Sequence, residues 1–300
     1  MAVPYSVNSF LGLAVVLSLA ACGGPSAPDQ DASTDPLPTD TVANGAQLLQ
    51  VGGKVFSVPS PVQTAFAIRK AGLKYQKGIT APLEKGESLT AKAPQALMLG
   101  MLGADMAYVT VHKDGQRALA TLQAIEELGG KLELSNAFDR ALLDRFKSNL
   151  GSEDSLLQFS GSAFRAADQY LKDNDRHDIS ALVLAGGWLE SLHLTLSDPA
   201  AFKDQALMDR IGEQRKALAD LVALLSTAVT DESAKETVEG LRTLQTTFDG
   251  ISASYTYEKP VTDVASRTTF INSKSSVTIT AEQLSAIAAQ VSAIRSKILA

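Results

Sequence analysis

Between Ala93 and Lys113 the sequence places Ala96, Gly100, Gly103 and Ala107 at spacings of four, three and four. At about 100° per residue these four small side chains fall within roughly 60° of one another on a helix. Such a stripe suits the close approach of a second helix. Leu99, Leu102, Met106 and Val109 form an apolar stripe beside it. A second stretch of similar character, Ala185-Gly186-Gly187-Trp188-Leu189-Glu190-Ser191-Leu192-His193, lies within a helix expected over 175–197. Two long apolar helices with glycine on their faces commit the chain to a helical interior.

Local signals place the other helices. Ser60-Pro61-Val62-Gln63 has the form of a capping box with Pro at the first helical position. A helix is expected over 115–128, with Gly129-Gly130 as its stop. Another is expected over 135–150, closed by Gly151. Ser152 should cap the next, with Glu153 and Asp154 in its first turn, where carboxylates suit the dipole, and with Leu157, Phe164 and Leu171 seven apart on one face. Asp198-Pro199 opens the longest, in which Ile211, Leu218 and Leu225 repeat at seven beside Leu207, Leu221 and Val222. A shorter helix over 230–248 ends at Gly250, and the box Thr280-Ala281-Glu282-Gln283 opens a terminal helix to Leu299.

Between these last two, the segments 253–258 and 267–278 are rich in Ser, Thr, Tyr and Val and suit an extended loop or hairpin. Val55 to Val58 suits an extended conformation as well. The expected fold is all-α, an irregular multi-helix bundle over 51–250. Residues 251–300 supply a small extended or hairpin segment and a terminal helix packed on the same domain.

The first fifty residues belong to another regime. Phe10 to Ala21 is an apolar run of signal-peptide length, too short for a membrane span, and it ends in Leu19-Ala20-Ala21-Cys22. Small residues before a cysteine suit signal peptidase cleavage, and the thiol suits diacylglycerol transfer. The pattern resembles the lipobox of bacterial lipoproteins, with Cys22 as lipid attachment site and 1–21 as signal peptide, although Met1 to Asn8 carries no Lys or Arg. Gly23 rather than Asp follows the cysteine, so the resemblance implies the outer membrane, with the protein facing the periplasm. Residues 22–50 are then a leash of Pro, Gly, Ser, Thr, Ala and Asp, too poor in large apolar residues to offset chain entropy. As a coil, its residues after the cysteine span roughly 30 Å.

Charge divides at the same place. The formal charge is −6, and residues 1–50 hold Asp29, Asp31, Asp35 and Asp40 with no Lys or Arg. The remaining 250 residues hold 27 basic and 29 acidic groups, so the acidity sits mainly in the leash. A body this near neutrality lacks the basic footprint of a nucleic-acid binder. A lone cysteine excludes an intramolecular disulfide framework and any multi-cysteine metal site. Phosphate-binding glycine loops, the Gly-x-Ser-x-Gly elbow and His-Glu-x-x-His are all absent from the sequence.

Five residues remain as candidates for binding: Asp105, Tyr108, His112, Glu190 and His193. The first three share one side of their helix. Glu190 shares a face with Val183, Gly186, Gly187, His193 and Leu194, and a carboxylate there costs several kcal/mol to bury unless it is paired or protonated. It therefore needs a partner, either an Arg or Lys from another helix, His193, or a capped helix N-terminus. Glu190-x-x-His193 also has the spacing of helical di-iron ligands, but that design uses two such pairs and this chain has one. A structural buried carboxylate is the plainer reading, and a metal-binding or enzymatic protein using Asp105, His112, Glu190 and His193 is the alternative.

Several stretches carry a wider resemblance: 56–61, Leu99-Gly100-Met101-Leu102-Gly103-Ala104-Asp105-Met106-Ala107-Tyr108, 149–156 with Asp154-Ser155, and 185–192. They resemble an uncharacterised family of helical lipoproteins of Bacteroidetes-type bacteria. The resemblance implies a helical domain at the cell envelope and brings no activity or cofactor. The expected partners are the membrane, through the lipid on Cys22, and an envelope protein or small ligand. Neither nucleic acid nor a metal is expected.

Overall fold

The structure is a computed structural model that describes residues 46–51, 54–137, 140–149, 152–263, 266–270 and 272–300. The apolar run, Cys22 and most of the leash lie outside them. Two helices fix the rest of the fold. α3 (Lys92–Val111) and α7 (His177–Leu196) are apolar on nearly every side and are buried along most of their length, so both occupy the centre. α7 is long and apolar enough to cross a bilayer, but its residues are buried inside the protein.

The glycine faces bring these two helices together. A Cβ on Gly100 would lie 1.9 Å from the Val183 carbonyl oxygen, and one on Gly186 would lie 1.9 Å from that of Leu97. Backbone therefore touches backbone at this crossing. Gly100, from the stripe expected from sequence, meets α7 in this way.

The other helices wrap this pair. α1 (Pro61–Lys70) and α4 (Gly115–Lys131) lie on α3, while α6 (Glu153–Asp173) and α8 (Gln205–Ala228) lie on α7. α2 (Glu84–Ser88) is a single turn against α3, and α5 (Arg140–Ser148) rests on α6. α9 (Lys235–Asp249) covers α8, and α10 (Ala281–Ile298) packs against α9 and α7. One apolar cluster centres on Leu97, Met98, Leu102, Leu189 and Leu192, and a second on Val62, Ile68, Tyr108, Leu122 and Phe146. The described residues fall in one compact unit, including the last fifty.

The chain is thus an all-α bundle with a small hairpin near its C-terminus. In that hairpin β3 (Ser252–Thr256) pairs antiparallel with β6 (Lys274–Thr278), and β4 (Val261–Asp263) with β5 (Thr268–Phe270). A second antiparallel pair, β1 (Ala46–Val51) with β2 (Lys54–Pro59), precedes α1. β2 contains the extended stretch expected at 55–58. β1 corrects the leash, because residues 46–50 are strand rather than coil, paired residue by residue with β2.

Four expectations about helix ends change. The helix does begin at Pro61, but Ser60 makes no side-chain cap there. α4 runs through Gly129-Gly130 to Lys131 and stops where Glu133 adopts φ 62°. Leu134 N–H donates to Gly129 O and Glu133 N–H to Gly130 O, the paired bonds of a Schellman ending without its usual glycine. The helix expected over 135–150 is a 3-10 turn at Ser135–Ala137 followed by α5. The helix from Pro199 breaks at Asp204, whose carboxylate accepts from Leu207 N–H and starts α8 afresh. Both Ser152 and Thr280 cap as expected, and Thr280 and Gln283 close a full capping box. Leu171 is buried; Leu157 and Phe164 lie outside the residues whose side chains are described.

Candidate functional site, a buried carboxyl pair and the strap it holds

Crossing α3 over α7 brings Asp105 and Glu190 together. Both are buried, with exposures of 1% and 0%. α10 supplies the balancing charge. Arg295 Nε donates to Glu190 Oε2 at 2.7 Å and Nη2 to Oε1 at 2.8 Å, a two-pronged pair. Of the partners open to Glu190 from sequence, the structure selects an arginine from another helix.

One cation facing two carboxyls leaves one negative charge too many. Asp105 Oδ2 accepts from Ala81 N–H at 2.8 Å, whereas no N–H reaches Oδ1. The Glu190 carboxylate is its neighbour, and only a proton makes that contact a hydrogen bond. Burial, and then the charge of Glu190, hold the Asp105 pKa well above the usual carboxylate value. A proton on Asp105 balances the cluster, whose one cation, Arg295, is paired with Glu190.

The remaining bonds converge on one segment, residues 76–81, which makes a 3-10 turn at Lys77–Ile79 and is otherwise irregular. Gln76 N–H donates to Tyr108 Oη at 2.9 Å. Ile79 O accepts from Arg295 Nη2 at 3.0 Å and lies 3.1 Å from His193 Nε2. Arg117, on α4, donates through Nη2 to Thr80 Oγ1 at 3.1 Å and to Ala81 O at 2.7 Å. The partners of this strap come from α3, α4, α7 and α10, and polar backbone here could not be buried without them. Burial lowers the His193 pKa, partly offset by Glu190, which suits a neutral imidazole donating to the Ile79 carbonyl.

Of the five residues singled out in sequence, four belong to this arrangement. His112 does not. It stacks on Tyr75 with ring centres 5.3 Å apart, beside Tyr108, and its pKa is lowered by burial and then by Arg69. Among the described residues no three of His, Cys, Asp and Glu converge as metal ligands would. Asp105, His112, Glu190 and His193 thus form no ligand set. Cys22 lies outside the described residues.

Sequence reasoning missed Arg295 and Arg117. Arg295 carried a readable signal, since it follows Val291 by four and so lies on the stripe of Leu284, Ile287, Val291, Ile294 and Ile298. A cation on an otherwise apolar stripe implies a buried anion. A cleft of about 30 Å³, room for roughly one water, lies on the opposite side of α7, between Trp188, Ser191, Thr195, Leu207 and Gln214. Neither Asp105 nor Glu190 lines it. No family model, curated protein or solved structure matches this chain.

The shared proton has a measurable consequence. In the unfolded chain Asp105 titrates near its ordinary value of about 4. A raised folded value means that folding takes up a proton once the pH passes that point. The Asp105 contribution to stability therefore falls as pH rises from the unfolded pKa to the folded one, by about 1.4 kcal/mol per pH unit. Asp105→Asn keeps the shape, accepts from Ala81 and donates to Glu190 without needing a proton. Denaturant unfolding at several pH values should give a variant that gains on the parent steadily above about pH 4. A difference independent of pH contradicts the shared proton.

Proposed function

We propose that the chain is a lipid-anchored protein of a bacterial envelope, at the outer membrane and facing the periplasm. Its helical body binds a protein partner or small ligand without catalysis. One observation carries the non-catalytic part. Asp105 and Glu190, the groups best suited to chemistry, are buried and engaged by Ala81 N–H and by Arg295, and half-buried His193 is held on Ile79 O. An acid–base site needs a group within reach of a substrate proton, and these carboxyls are buried against Arg295, one another and the strap. The anchor is supported by the apolar run ending at Ala21-Cys22, by the acidic leash, and by the resemblance to helical envelope lipoproteins.

Two acyl signals hold a protein on a bilayer far more firmly than one, which a diacylglyceryl cysteine satisfies by itself. Cys22→Ser in a bacterial host should abolish palmitate incorporation and move the protein to the soluble fraction. Membrane retention of the serine variant without label would overturn the anchor.

A further inference from the structure

Large apolar side chains are well covered across most of the described residues; apart from Leu119 on α4, the exposed ones lie in the hairpin. Tyr255 and Tyr257 are each 68% exposed, Val261 57% and Phe270 52%. Val261 and Phe270 are cross-strand partners, so they form one apolar pair on one face. Val277, by contrast, is packed against Gly212 of α8, which ties the base of the hairpin to the body. Clustered exposure of this kind marks an interaction surface. A lone two-stranded ribbon is also marginal in water and gains from a third strand.

β3 offers the edge for it. Among the described residues β3 has β6 on one side and no strand on the other. Its register with β6 is unbroken from Ser252 to Thr256. Free edges are usually protected by a Lys, a Pro or a bulge. Residues 252–257, Ser-Ala-Ser-Tyr-Thr-Tyr, contain none of them and carry no charge at all.

The charges select the occupant. The hairpin from Ser252 to Thr278 holds Lys259, Arg267 and Lys274 against Glu258 and Asp263. It is too nearly balanced to seek an anionic bilayer or a strongly charged protein. An uncharged edge, however, pairs antiparallel with its own copy and sets no like charges opposite each other. We propose that β3 joins β3 of a second copy of this chain, making a four-stranded sheet across a two-fold axis. Contact of this kind is isologous and closes on itself. One strand edge and a few aromatic side chains fall in the small-interface class, so the dimer should be transient and concentration-dependent.

The proposal deepens the reading of the protein as a binding module and is independent of the lipid anchor. The Cys22 test fails by membrane release, and this one by sedimentation. The test is sedimentation velocity of the full chain carrying Cys22→Ser, which removes lipid and thiol crosslinks, over a hundredfold range of concentration. The expected result is a shift from monomer to dimer. Tyr255→Lys should abolish the shift while leaving the helical signal and melting temperature unchanged. Mixing Tyr255→Lys with Tyr255→Glu chains should restore it. A monomer at every concentration, or a dimer indifferent to Tyr255→Lys, overturns the proposal.

Discussion

Gly100→Ala is expected to destabilise the protein by about 3 kcal/mol or more, at or beyond the upper end of the ordinary cost of overpacking a core. The sign makes the prediction informative. On helix propensity alone, alanine in place of glycine gains about 1 kcal/mol. At Gly100 the added Cβ would lie 1.9 Å from Val183 O and 2.7 Å from Gly187 N, and both are backbone atoms of a central helix. No rotamer change relieves that contact, so α3 and α7 must separate and the clusters on either side must repack. Gly186→Ala should behave alike, its Cβ falling 1.9 Å from Leu97 O. Gly130 is the control. Its added Cβ would meet only Ser135 Oγ at 3.8 Å, so alanine there should be neutral or stabilising by up to about 1 kcal/mol. Urea unfolding followed by far-UV circular dichroism separates the cases, and a tolerated alanine at Gly100 contradicts the crossing.

The second large effect is expected at Arg295. Arg295→Met removes the cation from Glu190, which is 0% exposed, and one of the donors to Ile79 O. Breaking a buried pair in this way costs about 3–5 kcal/mol, because the remaining charge has no water to turn to. Arg295→Lys should recover only part of the loss, since an ammonium cannot reach both Glu190 oxygens and the Ile79 carbonyl with one planar fork. Adding Glu190→Met to Arg295→Met should restore much of the stability, since replacing both partners with apolar groups is often near neutral. If the double variant is as unstable as the sum of the single ones, the two residues are not coupled and the pairing is wrong.

Much of this architecture is legible in the sequence, for a local reason. Helix periodicity, the caps at Ser152 and Thr280, and the glycine stripe of α3 are all set by residues within one or two turns of each other. The misreadings are equally physical. Gly129-Gly130 looks like a stop, yet both residues keep helical backbone and the reversal falls on Glu133. Asp198-Pro199 is a true start, but of a 3-10 turn, and Asp204 competes with it five residues later. The burial of Glu190 follows from its wheel, while its partner is 105 residues away, beyond the reach of any local pattern. The strap at 76–81 is hardest to foresee, because its partners bind mostly main-chain atoms, which every residue type possesses.

The polar residues of α3, α7 and α10 close over this strap instead of opening to a ligand. Amide hydrogen exchange at Ala81 reads out that closure. Ala81 lies in irregular chain, where amides ordinarily exchange fast. Its N–H nevertheless donates to buried Asp105, so it should exchange only through an opening close in free energy to global unfolding, as slowly as the core amides of α3. In Arg295→Met it should exchange faster than the stability loss alone requires. Fast exchange at Ala81 in the unaltered protein would mean that the strap opens readily and that Asp105 and Glu190 are accessible, which would contradict the closure.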